Sequence, residues 1–287
     1  MTEVDIAMEK TENGPFHIYH YTSMDALKGI LREDELCFWG TRYDSMNDPT
    51  EHIYAKEELI PELSKYLNLE EVKDTEIYPY VVSFSKMDDD FIMWRMYKAE
   101  LALVLDYDVI NKWVEEELNC NDGEKFYYFG ECRYPETKRE LIDSFNQLRE
   151  WNKNRGDESE DEITALELAT FIKRKEFRNE NEVRLFTCDY NLPSFEYNEE
   201  HPAEPTIKNQ ERAKDIKIKS VRDKDFVLYK EFHLPKDSLR GIILNCEKDI
   251  QFDRVKRHIL AWLYQLNYDI SRIDIRPTKT GNLIINL

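Results

Sequence analysis

The sequence predicts an α+β fold, mixed sheets with flanking helices, on three observations. Strand-like and helix-like segments follow one another without strict βαβ alternation, which disfavours a doubly wound parallel sheet. Only 8 glycines occur in 287 residues and none forms a GxG pair, so the dinucleotide-binding glycine fingerprint and the phosphate-cradling P-loop are both absent. No internal repeat and no clear linker divides the chain, so residues 1–287 read as a single domain with a polar excursion near 189–224.

Each element has a local cause. Phe16-His17-Ile18-Tyr19-His20-Tyr21 is an aromatic-rich strand. Thr22, with Asp25 three residues on, has capping-box spacing, and Met24, Leu27, Ile30 and Leu31 give the helix behind it an apolar stripe. Leu36-Cys37-Phe38-Trp39 predicts a second strand. Asp48 as N-cap, Pro49 at the first helical position and Glu51 at the third predict a helix running to Leu67. Tyr78 to Phe84 reads as a buried strand, a short helix carries Phe91, Trp94 and Tyr97, and Leu101 to Leu105 is an apolar central strand.

Val109, Trp113, Val114 and Leu118 mark a further helix, Lys125 to Tyr134 an aromatic strand, and Pro135 the start of a charged helix toward Trp151. Residues 152–162 are a solvated loop by composition. A helix from Ile163 to about Phe177 leads into the strand Glu182-Val183-Arg184-Leu185-Phe186. Pro193, Pro202 and Pro205 interrupt the polar stretch 189–224. Phe226 to Leu234 and Leu239 to Asn245 are strands. Phe252, Val255, Ile259, Trp262, Leu263 and Leu266 form an amphipathic helix, and short strands near Ile273–Ile275 and Leu283–Ile285 close the chain.

Composition narrows the function. With 41% hydrophobic and 13% aromatic residues the chain has ample material for a packed core. Fifty-nine acids against 40 Lys plus Arg give a formal net charge of −19, which opposes non-specific binding to nucleic acid or anionic lipid. Five singly scattered cysteines without CxxC spacing argue against a zinc site or a disulfide framework. No apolar run approaches the roughly 18 residues that cross a membrane, and the acidic stretch Met1–Asn13 does not read as a secretory signal, so a cytoplasmic chain is expected.

Four segments could carry chemistry. The histidines have no metal-ligand spacing, and no metal site is expected. His20 ends an aromatic strand just before a helix, a common place for a functional side chain, although spacing alone favours a surface or core histidine bonded to backbone. Helix capping explains Asp48, Pro49 and Glu51, while Asn47 before them suits a turn. Ser83 and Ser85 place two hydroxyls on one strand face without a nucleophile-elbow motif, so they suit ribose or phosphate binding, or capping. Period two puts Glu180, Glu182 and Arg184 on one face, where a carboxylate beside a guanidinium could stabilise an oxocarbenium-like sugar or form an exposed ion pair.

Taken in order, Tyr19-His20-Tyr21-Thr22-Ser23, Asn47-Asp48-Pro49-Thr50-Glu51, Ser83-Phe84-Ser85, Met93-Trp94-Arg95-Met96-Tyr97 and Glu180-Asn181-Glu182-Val183-Arg184 resemble a bacterial domain-of-unknown-function family with the pattern YHYT…NDPxE…FS…MWxxY…ExExR. The resemblance spans nearly the whole chain. One departure is that Lys98-Ala99-Glu100 stands where a glycine is expected after Tyr97. The opening Tyr-His, the Thr after it and the Ile-Leu pair of the following helix also resemble DarT-type DNA ADP-ribosyltransferases.

That second resemblance implies an ADP-ribosyltransferase-like core that takes NAD as substrate without a glycine fingerprint. It implies His20 at the ribose, Ser83 or Ser85 supporting the site, and Glu182, preceded by Glu180, as the catalytic pair. Tyr21, Thr22, Asn47 and Arg184 would join the NAD contacts, with Arg184 orienting Glu182 or meeting the pyrophosphate. The implied activity is cleavage of the nicotinamide–ribose bond, in a defence or toxin–antitoxin setting, with the acceptor unspecified. Two alternatives stand beside it: a non-catalytic nucleotide- or protein-binding module of the same fold, and a metal-dependent nuclease using Asp48, Glu51, Glu180 and Glu182.

Overall fold

The computed structural model describes residues 16–46, 54, 60–67, 77–120, 127–154, 161–190, 195–198, 201–207, 215–220, 226–246 and 249–280. In chain order the elements are β1 (His17–Thr22), α1 (Met24–Ile30), β2 (Glu35–Arg42), α2 (Ile60–Leu67), β3 (Ile77–Ser85), α3 (Phe91–Tyr97), β4 (Leu101–Asp106), α4 (Tyr107–Cys120), β5 (Tyr128–Glu131), α5 (Lys138–Asn154) and α6 (Asp161–Phe171). They continue with β6 (Glu182–Tyr190), β7 (Phe195–Asn198), β8 (His201–Ile207), β9 (Lys217–Ser220), β10 (Phe226–Pro235), β11 (Leu239–Leu244), α7 (Ile250–Gln265) and β12 (Asp274–Pro277). The fold is mixed, as the sequence predicts.

Among the described residues, ten strands join one sheet and β7 pairs with β8 apart from it. Within the large sheet β11 and β12 run parallel while the other paired strands are antiparallel. The sheet forks at β3. One edge of β3 is covered by β6 from Ile77↔Tyr190 to Ser85↔Glu182. The opposite edge is shared, because β1 meets it at Tyr19↔Ser85 whereas β2 meets it at Thr41↔Val81 and Arg42↔Tyr80. Between those contacts β1 and β2 part company, β1 going on to β4 and β2 to β10. This divergence opens a cleft.

Two apolar clusters follow from strand alternation. Tyr80, Val82, Phe84, Val183 and Leu185 belong to a core that includes α1, α4 and α7. Val81 and Phe186 turn the other way, into a core with α2, α5 and α6. A third cluster joins Tyr19, Tyr21, Ala102 and Ile243 to Met93 and Trp94 of α3, fixing that helix beside the fork. No described helix is long and apolar enough to cross a membrane.

The structure shifts several boundaries. Thr22 is the last residue of β1, and Ser23 caps α1 by accepting from the Ala26 N–H at 3.2 Å, because β1 keeps pairing with β4 up to Thr22↔Leu101. The helix expected to reach Phe177 stops at Phe171. Ile172 bridges to Arg133, and Lys175–Glu180 form a 3-10 turn, so long-range pairing overrides the continuing helical pattern. The aromatic strand is Tyr128–Glu131, shorter than expected. Strands β7, β8 and β9 lie inside 189–224. Asn47–Glu51 and Leu283–Ile285 lie outside the described residues.

The missing glycine after Tyr97 has a local consequence. Lys98 closes α3 in the left-handed region, φ 48°, with its N–H bonded to the Arg95 and Trp94 carbonyls. A residue with a Cβ is strained there and glycine is not. Lys98→Gly is therefore expected to stabilise the fold by about 0.5–1 kcal/mol in urea melts, after subtracting glycine's larger unfolded-state entropy. Unchanged or lower stability contradicts this.

Candidate functional site

The cleft at the fork has a volume of about 750 Å³, within the range of small-molecule sites. β1 contributes Tyr19, His20, Tyr21 and Thr22, β3 contributes Val81 to Ser85, and α3 contributes Met93, Met96 and Tyr97. The opposite wall carries Trp39, Thr41, Lys219 and Val227, and the floor holds Lys173, Phe177, Glu180, Glu182 and Arg184. The structure thus brings together Glu182, His20, Glu180, Tyr21, Thr22, Ser83, Ser85 and Arg184 around one cleft. Asn47 lies outside the described residues.

The floor is a buried ionic cluster. The Glu182 carboxylate accepts from Arg184 through two parallel bonds, Nε to Oε1 at 2.9 Å and Nη2 to Oε2 at 3.0 Å. Its Oε2 also accepts from Lys173 Nζ at 2.8 Å, and the same ammonium donates to Glu180 Oε2 at 2.5 Å. Arg184 spends Nη1 on the Thr170 carbonyl at 2.6 Å. Burial alone would raise the Glu182 pKa, but the Arg184 and Lys173 charges and their hydrogen bonds prevail and hold it at about 2. A carboxylate has about four acceptor sites. Described residues take three, and among them none takes the fourth, on Oε1.

Glu180 does not reach this cluster as the period-two neighbour of Glu182. It ends the 3-10 turn, and Asn181, φ 43°, redirects the chain into β6. Asn tolerates that left-handed conformation better than most side chains. Ser85 fixes the turn, because its hydroxyl donates to the Glu180 carbonyl at 2.7 Å and accepts from the Met87 N–H at 3.0 Å. Ser85 is buried, so in this geometry it positions Glu180.

Register separates the two ends of the site. Tyr19, Ser85 and Glu182 face one another in adjacent strands and so share a sheet face, with Tyr21 beside them. His20 points to the other face and reaches the cleft where β1 and β2 part. Its Nδ1–H donates to the Ser83 carbonyl at 3.0 Å, tying β1 to β3 at the fork. Phe38 and Phe84 pack edge-on against the ring at 5.0 and 5.8 Å. Burial lowers the His20 pKa, outweighing the Ser83 bond, so the ring is neutral at pH 7 with Nε2 as an acceptor.

Tyr21 uses its hydroxyl twice, donating to the Met87 carbonyl at 2.7 Å and accepting from the Asp90 N–H at 3.0 Å, which ties the turn before α3 to β1. The Thr22 carbonyl accepts from Glu100 N at 2.9 Å. Sequence reasoning missed Lys173, because Lys173-Arg174-Lys175 reads as a solvated helix face, whereas pairing of Lys173 N with the Arg133 carbonyl turns its side chain inward. Tyr97, Trp39 and Lys219 were missed as lining residues. The MWxxY segment already contained Tyr97, and nothing local marked the other two.

These ionisations predict a pH dependence. The folded-state pKa of Glu182 lies below its ordinary value of 4.5, so its contribution is complete above pH 4.5 and is lost as pH falls toward 2. His20 acts in the same direction below its ordinary 6.5, since folding excludes its proton. Urea unfolding should therefore show stability falling between pH 6.5 and 3, and a flat or rising profile contradicts the assignment.

No protein-family model matches the chain, and no curated protein matches it significantly. Among solved structures it is similar to a DarT from Thermus sp. 2.9 in complex with ADP-ribosylated single-stranded DNA, at 17% identity over 94% of this chain and 98% of that one, with a TM-score of 0.33. A TM-score that low does not establish a shared fold.

Proposed function

We propose that the chain is an ADP-ribosyltransferase-like enzyme that binds NAD in this cleft and cleaves its nicotinamide–ribose bond. The observation that carries the reading is the floor: a buried, ionised Glu182 with one acceptor site that no described residue takes, oriented by Arg184 and Lys173, in the same cleft as neutral His20. As the C1′–N bond breaks, the electron pair leaves with the nicotinamide nitrogen and positive charge builds on C1′. Glu182 accepts from the ribose 2′-hydroxyl and stabilises that charge without having to reorganise.

His20 Nε2 accepts from a ribose hydroxyl, with Thr22 on the same strand face and Ser83 lining the cleft on the Glu182 side. The acceptor nucleophile joins C1′ as its proton passes to solvent water, with Glu180 steering the acceptor. The net charge of −19 favours water, a small molecule or a protein over duplex DNA as acceptor.

A second reading, a nucleotide-binding module without turnover, draws on the same cluster, because Lys173 and Arg184 already neutralise the two carboxylates without a ligand. The nuclease reading loses ground for that reason, since Glu180 and Glu182 are committed to those cations. Incubating purified protein with NAD and quantifying free nicotinamide separates the first two. Release supports the transferase reading, binding without release supports the module, and neither overturns both.

A further inference from the structure

The wall opposite Glu182 has its own chemistry. β2, β10 and β9 are paired so that Trp39 faces Glu231, Tyr229 faces Thr41 and Lys217, and Val227 faces Lys219. Trp39, Tyr229 and Lys219 therefore share one sheet face. The Trp39 indole lies on the buried Tyr229 ring, centroids 4.6 Å apart and 31° between planes, yet is itself 43% exposed. Lys219 Nζ stands 5.6 Å from the indole centroid and 5.9 Å from the phenol centroid.

Among the described residues Lys219 has no carboxylate partner, although the chain holds 59 acids against 40 Lys plus Arg. Lys217, two residues away, is paired with Glu231 at 2.6 Å. Burial lowers the Lys219 pKa. A half-buried, unpaired ammonium beside an exposed indole, both lining a cleft, suits a ligand that carries a flat ring and a negative charge.

We propose that Trp39, Tyr229 and Lys219 form a nucleoside-phosphate subsite, in which a purine base stacks on the open face of Trp39 and Lys219 holds the adjoining phosphate. The inference rests on the NAD reading in one respect, the assignment of this wall to the adenylate half while the Glu182 floor takes the nicotinamide ribose. Tyr229 acts as a positioning residue that holds the indole in place.

Calorimetric titrations with AMP, ADP-ribose and nicotinamide mononucleotide test it, using the full chain and the variants Trp39→Ala, Trp39→Phe and Lys219→Gln. AMP and ADP-ribose should bind about 10- to 100-fold more weakly to Trp39→Ala, the effect of losing one base–aromatic stack. Trp39→Phe should retain most of the affinity. Lys219→Gln should weaken both ligands several-fold and flatten their salt dependence. Nicotinamide mononucleotide should bind all four proteins alike. If Trp39→Ala fails to fold, Trp39→Phe and Lys219→Gln still decide the matter.

AMP and ADP-ribose binding indifferent to Trp39→Ala and Lys219→Gln, or absent from wild type, overturns the subsite. Nicotinamide release measured alongside keeps the two readings apart. Normal release with no dependence on Trp39 and Lys219 removes the subsite alone. Binding that depends on Trp39 and Lys219 without release supports the subsite and removes the cleavage reading.

Discussion

Glu182→Gln is expected to lower nicotinamide release from NAD by about 10²–10³-fold, the usual cost of losing one preorganised contact to developing charge. Shape is kept and the negative charge is removed. The charge matters most when C1′ becomes cationic, so NAD binding should persist while turnover falls. The cluster adds a complication that must be measured. Gln offers an amide NH₂ where one carboxylate oxygen accepts from Arg184 or Lys173, so donors oppose donors in a buried site. The variant should also melt earlier, and rates need correction to the folded fraction. Glu180→Gln leaves Glu182 bonded to Arg184 and should slow cleavage less, with a larger effect on transfer to the acceptor. Equal release by wild type and Glu182→Gln, both folded, removes Glu182 as the charge-stabilising group.

Lys173→Met is expected to cost about 3–5 kcal/mol of stability, the range for breaking a buried pair by removing one partner. Lys173 is buried and bridges Glu180 and Glu182, so its removal leaves the two carboxylates close together, with Arg184 still bonded to Glu182. The sign with pH is distinctive. Two carboxylates close together favour uptake of one proton, so the deficit relative to wild type should shrink as pH falls from 7 toward 4. Urea melts at both pH values check this. A deficit below about 1 kcal/mol, or one that grows on acidification, contradicts the bridging role.

Much of the fold was legible because burial leaves a period. Leu101–Leu105 and the stripe from Phe252 to Leu266 read as what they are, β4 and α7, the first from an unbroken short apolar run and the second from its helical period. The region from Phe171 to Glu182 was read wrongly where distant strands decide it. Lys173 looks like part of a solvated helix until Arg133 captures its backbone, and Glu180 looks like a strand residue until Asn181 breaks the run.

The site was partly legible for the same reason. Glu182 and Arg184 are two apart on one strand, so their pairing follows from pleat geometry. The fork that admits His20 and exposes Trp39 depends on two strands sharing one edge of β3, a long-range fact with no local signature.

The most direct measurement is a structure of the chain with an NAD analogue whose reacting ribose carries CH₂ in place of the ring oxygen, which binds but cannot form the oxocarbenium. The 2′-hydroxyl of the nicotinamide-side ring is expected within hydrogen-bond distance of Glu182 Oε1, with Arg184 and Lys173 still holding the carboxylate. A bound analogue whose nicotinamide ribose lies away from Glu182, or a cleft left empty at saturating analogue, contradicts it.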